Sequence, residues 1–245
     1  MTTILLDLVV VSVFFAFTVQ APEPQLKDAD GLFAQRDAIE SLRQAVALTE
    51  RVVAAGSGNY EALWRLSKYR YYLADREPDK ERRAKVYQSG ADVAKKAIAA
   101  NPNRVEGHFW LAANSGELAD LKGALDSLGL LRTIRKGFES ALEIDPTYES
   151  GAIHLALGEM DLKLPRLLGG NDRRGIERLE AGMKVGPNNA ELKVALADVY
   201  TKRNRQDDAR KLLQSVINDN DPLRSPNEIS DLRDKARKKL EEIKY

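Results

Sequence analysis

Four prolines divide this chain at related intervals. Pro102, Pro146, Pro187 and Pro222 follow Asn101, Asp145, Gly186 and Asp221, at spacings of 44, 41 and 35 residues. Proline disfavours helix in the residue before it and cannot continue one, so each dipeptide is a boundary between helical stretches. A recurring boundary at such intervals signals a solenoid of stacked helix pairs. Stacking buries the core between neighbours and leaves an extended concave surface, which suits binding better than catalysis.

A positional test supports this reading. If each boundary proline holds position 32 of a 34-residue unit, the packing positions are 4, 7, 8, 11, 20, 24 and 27. Counting back places Gly90, Ala94 and Ala97 at 20, 24 and 27 of one unit, and Ile134, Phe138 and Ala141 in the next. Gly175, Leu179 and Gly182 follow in a third. Counting forward places Leu111-Ala112, Leu155-Ala156 and Leu196-Ala197 at 7 and 8, with Tyr200, Ala209 and Leu213 completing the last unit. Trp64 and Tyr71 fit positions 4 and 11 of an earlier one. Small residues at 8 and 20 let paired backbones approach closely. Apolar residues recur at helical spacing and alternating β-branched runs are absent, so the expected fold is all-α. It is a tetratricopeptide-like solenoid of about four to five helix pairs, capped by the amphipathic C-terminal stripe Leu232, Ala236, Leu240 and Ile243.

The units exceed the 34-residue frame by 10 residues before Pro146, 7 before Pro187 and 1 before Pro222. With both anchors in register, the excess is expected between the paired helices. In GELADLKGALDSLGLL, Leu118, Leu121, Leu125 and Leu128 recur every three or four residues, as in a longer or added amphipathic helix. In LPRLLGGND, Pro165 ends a helix, Gly169-Gly170 turns, and Asn171 or Asp172 caps the next helix. Both insertions are expected on one edge, which becomes the candidate binding rim.

The 245 residues carry 38 Lys plus Arg against 37 Asp plus Glu, so no general field attracts nucleic acid. The absence of Cys excludes thiolate chemistry, disulfides and a lipid-attachment thiol. The run from Leu8 to Val19 has secretory h-region length, and residues 1–21 are expected to be a signal peptide or an uncleaved N-terminal anchor. Export is the favoured reading, although Asp7, the missing basic residue before the run, and Pro22 beside the cleavage point run against it. Residues 22–30 read as a Pro-bearing linker and 31–245 as one α-helical domain.

The stretch from GELADLKGALDSLGLL through LPRLLGGN to VALADVY resembles the T component associated with tripartite ATP-independent periplasmic (TRAP) transporters, over roughly residues 60–239. The LPRLLGGN loop is its most specific part. The resemblance implies a periplasmic helical repeat protein that works beside a solute-binding protein and has an apolar cleft or pore. Members are often lipoproteins, and this chain departs from them in lacking the Cys.

His108 and His154, on successive first helices, are the only histidines; six and eight residues past their prolines, they read as not repeat-equivalent. No ligand-like spacing surrounds either, so structural roles are expected over metal or general-base chemistry. The glutamates of this region, Glu106, Glu117, Glu139, Glu143, Glu149 and Glu159, read as solvated faces. Arg166, Arg173, Arg174 and Arg178 surround the Gly169-Gly170 turn, where an anion or acidic partner could dock. Among the clustered aromatic residues, one of the adjacent Phe109 and Trp110 should face a groove. The expected binding surface is therefore Phe109, Trp110, Leu121, Leu125, Leu128, Arg166, Leu168, Gly169, Gly170, Arg173 and Arg174. The expected role is non-enzymatic, without cofactor or metal: an exported scaffold for a protein partner, an apolar small ligand, or both. A membrane contact is expected only through the N-terminal segment, and self-association stays open. The alternative is an interaction module of a cell-envelope assembly complex.

Overall fold

The computed structural model describes residues 22–56, 58–123 and 127–243. The segment 1–21, read as signal or anchor, and Leu125 lie outside the described residues. Five antiparallel helix pairs follow one another: α1 (Pro22–Ala34) with α2 (Ile39–Ala55), α3 (Tyr60–Asp75) with α4 (Lys80–Ala100), and α5 (Val105–Lys122) with α6 (Leu128–Ile144). Then come α7 (Ala152–Lys163) with α8 (Asp172–Val185) and α9 (Ala190–Lys202) with α10 (Gln206–Asn218), and α11 (Pro226–Glu242) covers the end. There is no strand among the described residues. None of the described helices is long and apolar enough to cross a membrane.

Local chemistry sets these boundaries. Asn59, Asp79, Asn171, Asn189 and Ser225 occupy N-cap positions, and each accepts a hydrogen bond from a backbone N–H three residues on. Pro102, Pro146 and Pro187 lie immediately past the helix ends at Asn101, Asp145 and Gly186, as the spacing predicts. Ser225 and Glu228 form a reciprocal capping box with Pro226 at the first helical position. The stripe of α11 packs on the last pair, with Ala236 and Ile243 buried and Leu232 and Leu240 partly so.

The segment 22–30 is not a linker. It forms most of α1 and buries Leu26 and Ala29 against α2 and α3. Pro22 and Pro24 fall in the first turn, where a missing N–H costs nothing, so they open the helix. The excess before Pro146 resolves into a lengthened α5 of 18 residues rather than an added helix, closed at Gly123 with φ of 85°.

Close packing uses small residues, but in the pair α5/α6 the one against Ala112 is Gly137 and not the counted Ile134. A Cβ on Gly137 would come within 2.9 Å of the Ala112 Cβ, and Ala94, Ala97, Ala141, Ala197 and Ala209 are buried. In the pair α7/α8 the residue facing Gly175 is Gly158, not Ala156. The cause lies between α6 and α7, where Glu149, Ser150 and Gly151 take φ of 48°, 49° and 85° and insert a left-handed turn before the helix begins. Two of the seven extra residues therefore precede α7, and its register slips by two. Gly151 is required there: its positive φ suits glycine, and a Cβ would lie 2.8 Å from the Gly182 carbonyl oxygen.

Candidate functional site

The first helices of successive pairs line the concave face and enclose a cavity of about 550 Å³. Its apolar wall is built from Tyr71 and Tyr72 of α3, Phe109 and Trp110 of α5, Ile134 and Phe138 of α6, and Leu155 and Met160 of α7. Phe109 and Trp110 both contribute, although adjacent helical residues diverge. Phe109 leans edge-on against Phe138 and Tyr148, at ring separations of 5.6 and 5.1 Å, while Trp110 turns toward Tyr71 and Tyr72. The Trp110 indole N–H donates to the Tyr148 hydroxyl at 3.1 Å, which fixes the ring.

Acidic groups interrupt this wall. Glu117 and Asp120 of α5, Glu149, Glu159 of α7 and Glu191 of α9 all line the cavity. Three carry cations: Lys68 with Glu149, Lys163 with Glu159 and Arg224 with Glu191, each at 2.9 Å. Glu117 accepts a hydrogen bond from the Tyr71 hydroxyl at 3.2 Å and forms no ion pair among the described residues, although its charge reaches Lys163. Burial pushes its carboxyl above the usual range, and the charges of Asp120, Asp75 and Glu191 push the same way. A second pocket of about 290 Å³ shares Tyr71, Glu117, Leu155, Glu159 and Glu191 and extends to Asp198 and Lys235.

The ends of the array meet beside this cavity. Arg36, in the α1–α2 turn, donates to both carboxylate oxygens of Glu228 and to the Leu223 carbonyl, at 2.7 to 3.0 Å. The Ser225 hydroxyl donates to Asp37, as does the Asn227 N–H at 3.2 Å. The Arg36 guanidinium also lies over the rings of Phe33 and Tyr72, 4.9 and 5.2 Å from their centroids. Tyr72 thus connects this clasp to the cavity wall.

The LPRLLGGN loop is a rigid bridge between α7 and α8. Asn171 caps α8, and its N–H donates to the Asp161 carbonyl at 2.8 Å. A Cβ on Gly170 would collide with the Leu164 carbonyl, so only glycine fits. Three guanidiniums, those of Arg135, Arg174 and Arg178, converge on the Asp161 side chain, which is 0 % exposed. Burial alone would raise that carboxyl, but hydrogen bonds from Arg174 and Arg135 and the charge of Arg178 hold it below the usual range. Arg135 and Arg174 also donate to the Gly169 carbonyl.

Of the expected binding surface, Phe109 and Trp110 lie in the cavity wall. Leu121 packs beside Tyr87 and Leu118, and Leu128 is exposed at the start of α6. Arg174 is committed to Asp161 and Arg173 to Glu177. Arg166 is exposed and has no carboxylate partner among the described residues, and Leu168 sits beside the protruding Leu167, which is 94 % exposed. Gly169 and Gly170 shape the loop. The expected rim and the cavity are therefore separate features. Sequence reasoning counted Tyr72 in the aromatic cluster but not in the expected surface, passed over Asp161 and assigned Glu117 to solvent; the available signal for Glu117 was its place on a first helix, three residues from Asp120, on the face that lines the groove.

Both histidines serve the backbone. His108 Nε2 lies 2.8 Å from the Pro102 carbonyl oxygen, and His154 is hydrogen-bonded to the backbone of Pro146, whose only polar group is its carbonyl. Once the two-residue slip of α7 is counted, they are repeat-equivalent, contrary to the expectation. Burial, and then the charge of Arg178, lower the His154 pKa, so its neutral form is favoured. No group of metal-binding side chains occurs among the described residues.

Stacked helical hairpins around a concave cavity define a tetratricopeptide-type repeat protein. A thermophilic TPR protein from Thermus thermophilus matches with a TM-score of 0.66 at 20% identity, over 90% of this chain and 99% of its own. MamA matches at 0.50 and 14% identity over 83% and 95%, and MamA from AMB-1 at 0.51 and 14% over 79% and 94%. These likenesses concern the fold. No curated protein matches the sequence. The chain belongs to the family described as regulator of microtubule dynamics protein 1-3, whose sequence pattern matches residues 25–158, more than half its length.

Proposed function

We propose that this protein is a non-enzymatic binding scaffold that holds one small ligand with an apolar part in its concave cavity and meets a protein partner through its outer rim. The observation that carries this reading is the cavity itself: about 550 Å³, walled by aromatic side chains and bordered by a clasp between the array's two ends. That volume is in the usual range for a single bound organic molecule. Native mass spectrometry of the full-length chain should reveal a co-purified mass that Trp110→Ala removes. A ligand-free protein that gains no thermal stability from any apolar compound tested would sink the reading.

The narrower proposal is an exported accessory of a TRAP-type transporter, supported by the LPRLLGGN resemblance and the apolar run of residues 8–19. It requires an extracytoplasmic solute-binding protein as partner. A pull-down that recovers one supports it, and a cytoplasmic location on fractionation defeats it. The alternative, a module of a cell-envelope assembly complex, is distinguished by genomic neighbourhood: the transporter reading requires transporter membrane and solute-binding genes nearby. The family's description suggests a third reading, in which the partner is a microtubule; co-sedimentation with polymerised tubulin tests whether that property extends to this chain.

A further inference from the structure

The charges around the cavity do not balance. Of the five carboxylates that line it, three pair with Lys68, Lys163 and Arg224, leaving Glu117 and Asp120 on one face of α5 without an ion pair among the described residues; Lys163 feels both charges but is hydrogen-bonded to Glu159. Glu117 is half-buried; Asp120 stands exposed at the rim. Tyr71 donates to Glu117 from across the cavity, and Trp110 lies 5.6 Å from the Tyr71 ring. A half-buried carboxylate in a cavity where carboxylates outnumber cations is costly unless a further cation visits the site. Aromatic rings beside such a carboxylate add cation–π attraction and an apolar surface for the rest of the visitor.

We propose that the cavity takes a small organic cation, a protonated or quaternary amine on an apolar stem, with its charge seated by Glu117 and Asp120 beside Tyr71 and Trp110. The stem occupies the apolar wall toward Phe109 and Phe138. A small molecule is favoured over a threaded peptide because the array's ends are pinned together and the cavity is the size of one such ligand. The inference rests on the reading of the cavity as a binding site and adds the sign of its ligand.

The test uses three probes of one stem length and different charge, octylammonium, 1-octanol and octanoate, titrated calorimetrically into the full-length protein. Octylammonium should bind at least ten-fold tighter than 1-octanol, and octanoate more weakly than either. Glu117→Gln and Asp120→Asn should each reduce the ammonium preference several-fold while leaving 1-octanol affinity unchanged, with circular dichroism confirming the fold. Equal affinity for ammonium and alcohol, or a preference that survives the double substitution, overturns the charge assignment but leaves the cavity reading intact. If none of the three binds, the cavity reading fails with it.

Discussion

Arg36 and Glu228, 192 residues apart, form a two-pronged ion pair at 3.0 and 2.7 Å, so the first and last elements of the array are tied together. Their side chains are 8 % and 19 % exposed, which removes much of the solvent screening that weakens surface pairs. Glu228 also closes the α11 capping box by accepting from the Ser225 N–H. Burial alone would raise its carboxyl, but Arg36 and that N–H hold it below the usual range. Arg36→Ala should cost on the order of 3 kcal/mol, because it strands a half-buried carboxylate. Small-angle scattering should show a more open particle. Because the folded pKa of Glu228 is depressed, the stability it contributes is present at neutral pH and lost as pH falls through that value, below 4.5. Denaturant melts of wild type and Glu228→Gln should therefore differ at pH 7 and converge in acid.

Glu117 presents the opposite sign. Its pKa is raised from 4.5 by burial and then by Asp120, so keeping it ionised in the folded protein costs stability at neutral pH. Glu117→Gln should stabilise the ligand-free protein by about 1 kcal/mol at pH 7, as expected where a site has been built for binding rather than stability. The gain should shrink as pH falls through the raised pKa and the wild-type carboxyl takes up its proton. A variant less stable than wild type at pH 7 would show that the carboxylate is satisfied in the free protein.

Helix pairing was legible in the sequence because boundary prolines, N-caps and small packing residues act locally, within a few residues of their effects. Asn171, Gly90 and Ala197 illustrate this. The register of α7 was not legible: Glu149 and Ser150 carry no turn signature, and their left-handed backbone is imposed by Gly186, whose absent side chain makes room for the Ser150 carbonyl, and by Asn189, which donates to it. The clasp was equally hidden, since no local pattern relates Arg36 to Glu228. The candidate site was half visible. Phe109 and Trp110 stood out as an aromatic pair, whereas Glu117 resembles any solvent-facing glutamate until the curvature of the array closes around it.

Asp161 should be the most sensitive polar residue of the α7–α8 bridge. Asp161→Asn would leave Arg135, Arg174 and Arg178 facing one another around a buried neutral group. A loss of about 3–5 kcal/mol is expected, measured by urea denaturation. Arg173→Ala, which removes only a solvent-screened pair with Glu177, should leave the urea midpoint unchanged. Comparable losses from the two substitutions would mean that the guanidinium cluster does not hold the loop.

The slipped register of α7 is open to a direct substitution test. A Cβ on Gly158 would lie 2.9 Å from Leu179 and 3.0 Å from the Gly175 carbonyl oxygen, so α7 and α8 would have to move apart. Gly158→Ala should destabilise by about 1–3 kcal/mol, the usual effect of overpacking. Gly31, at the start of the last turn of α1, has open space where its Cβ would sit, so Gly31→Ala should stabilise by about 0.5 kcal/mol through helix propensity alone. Both are read from thermal melts of the same preparation. Had α7 kept the proline-counted frame, Ala156 would be the interface residue and Gly158 would tolerate a methyl group as readily as Gly31. Two melting shifts of opposite sign therefore favour the slip, and two of the same sign reject it.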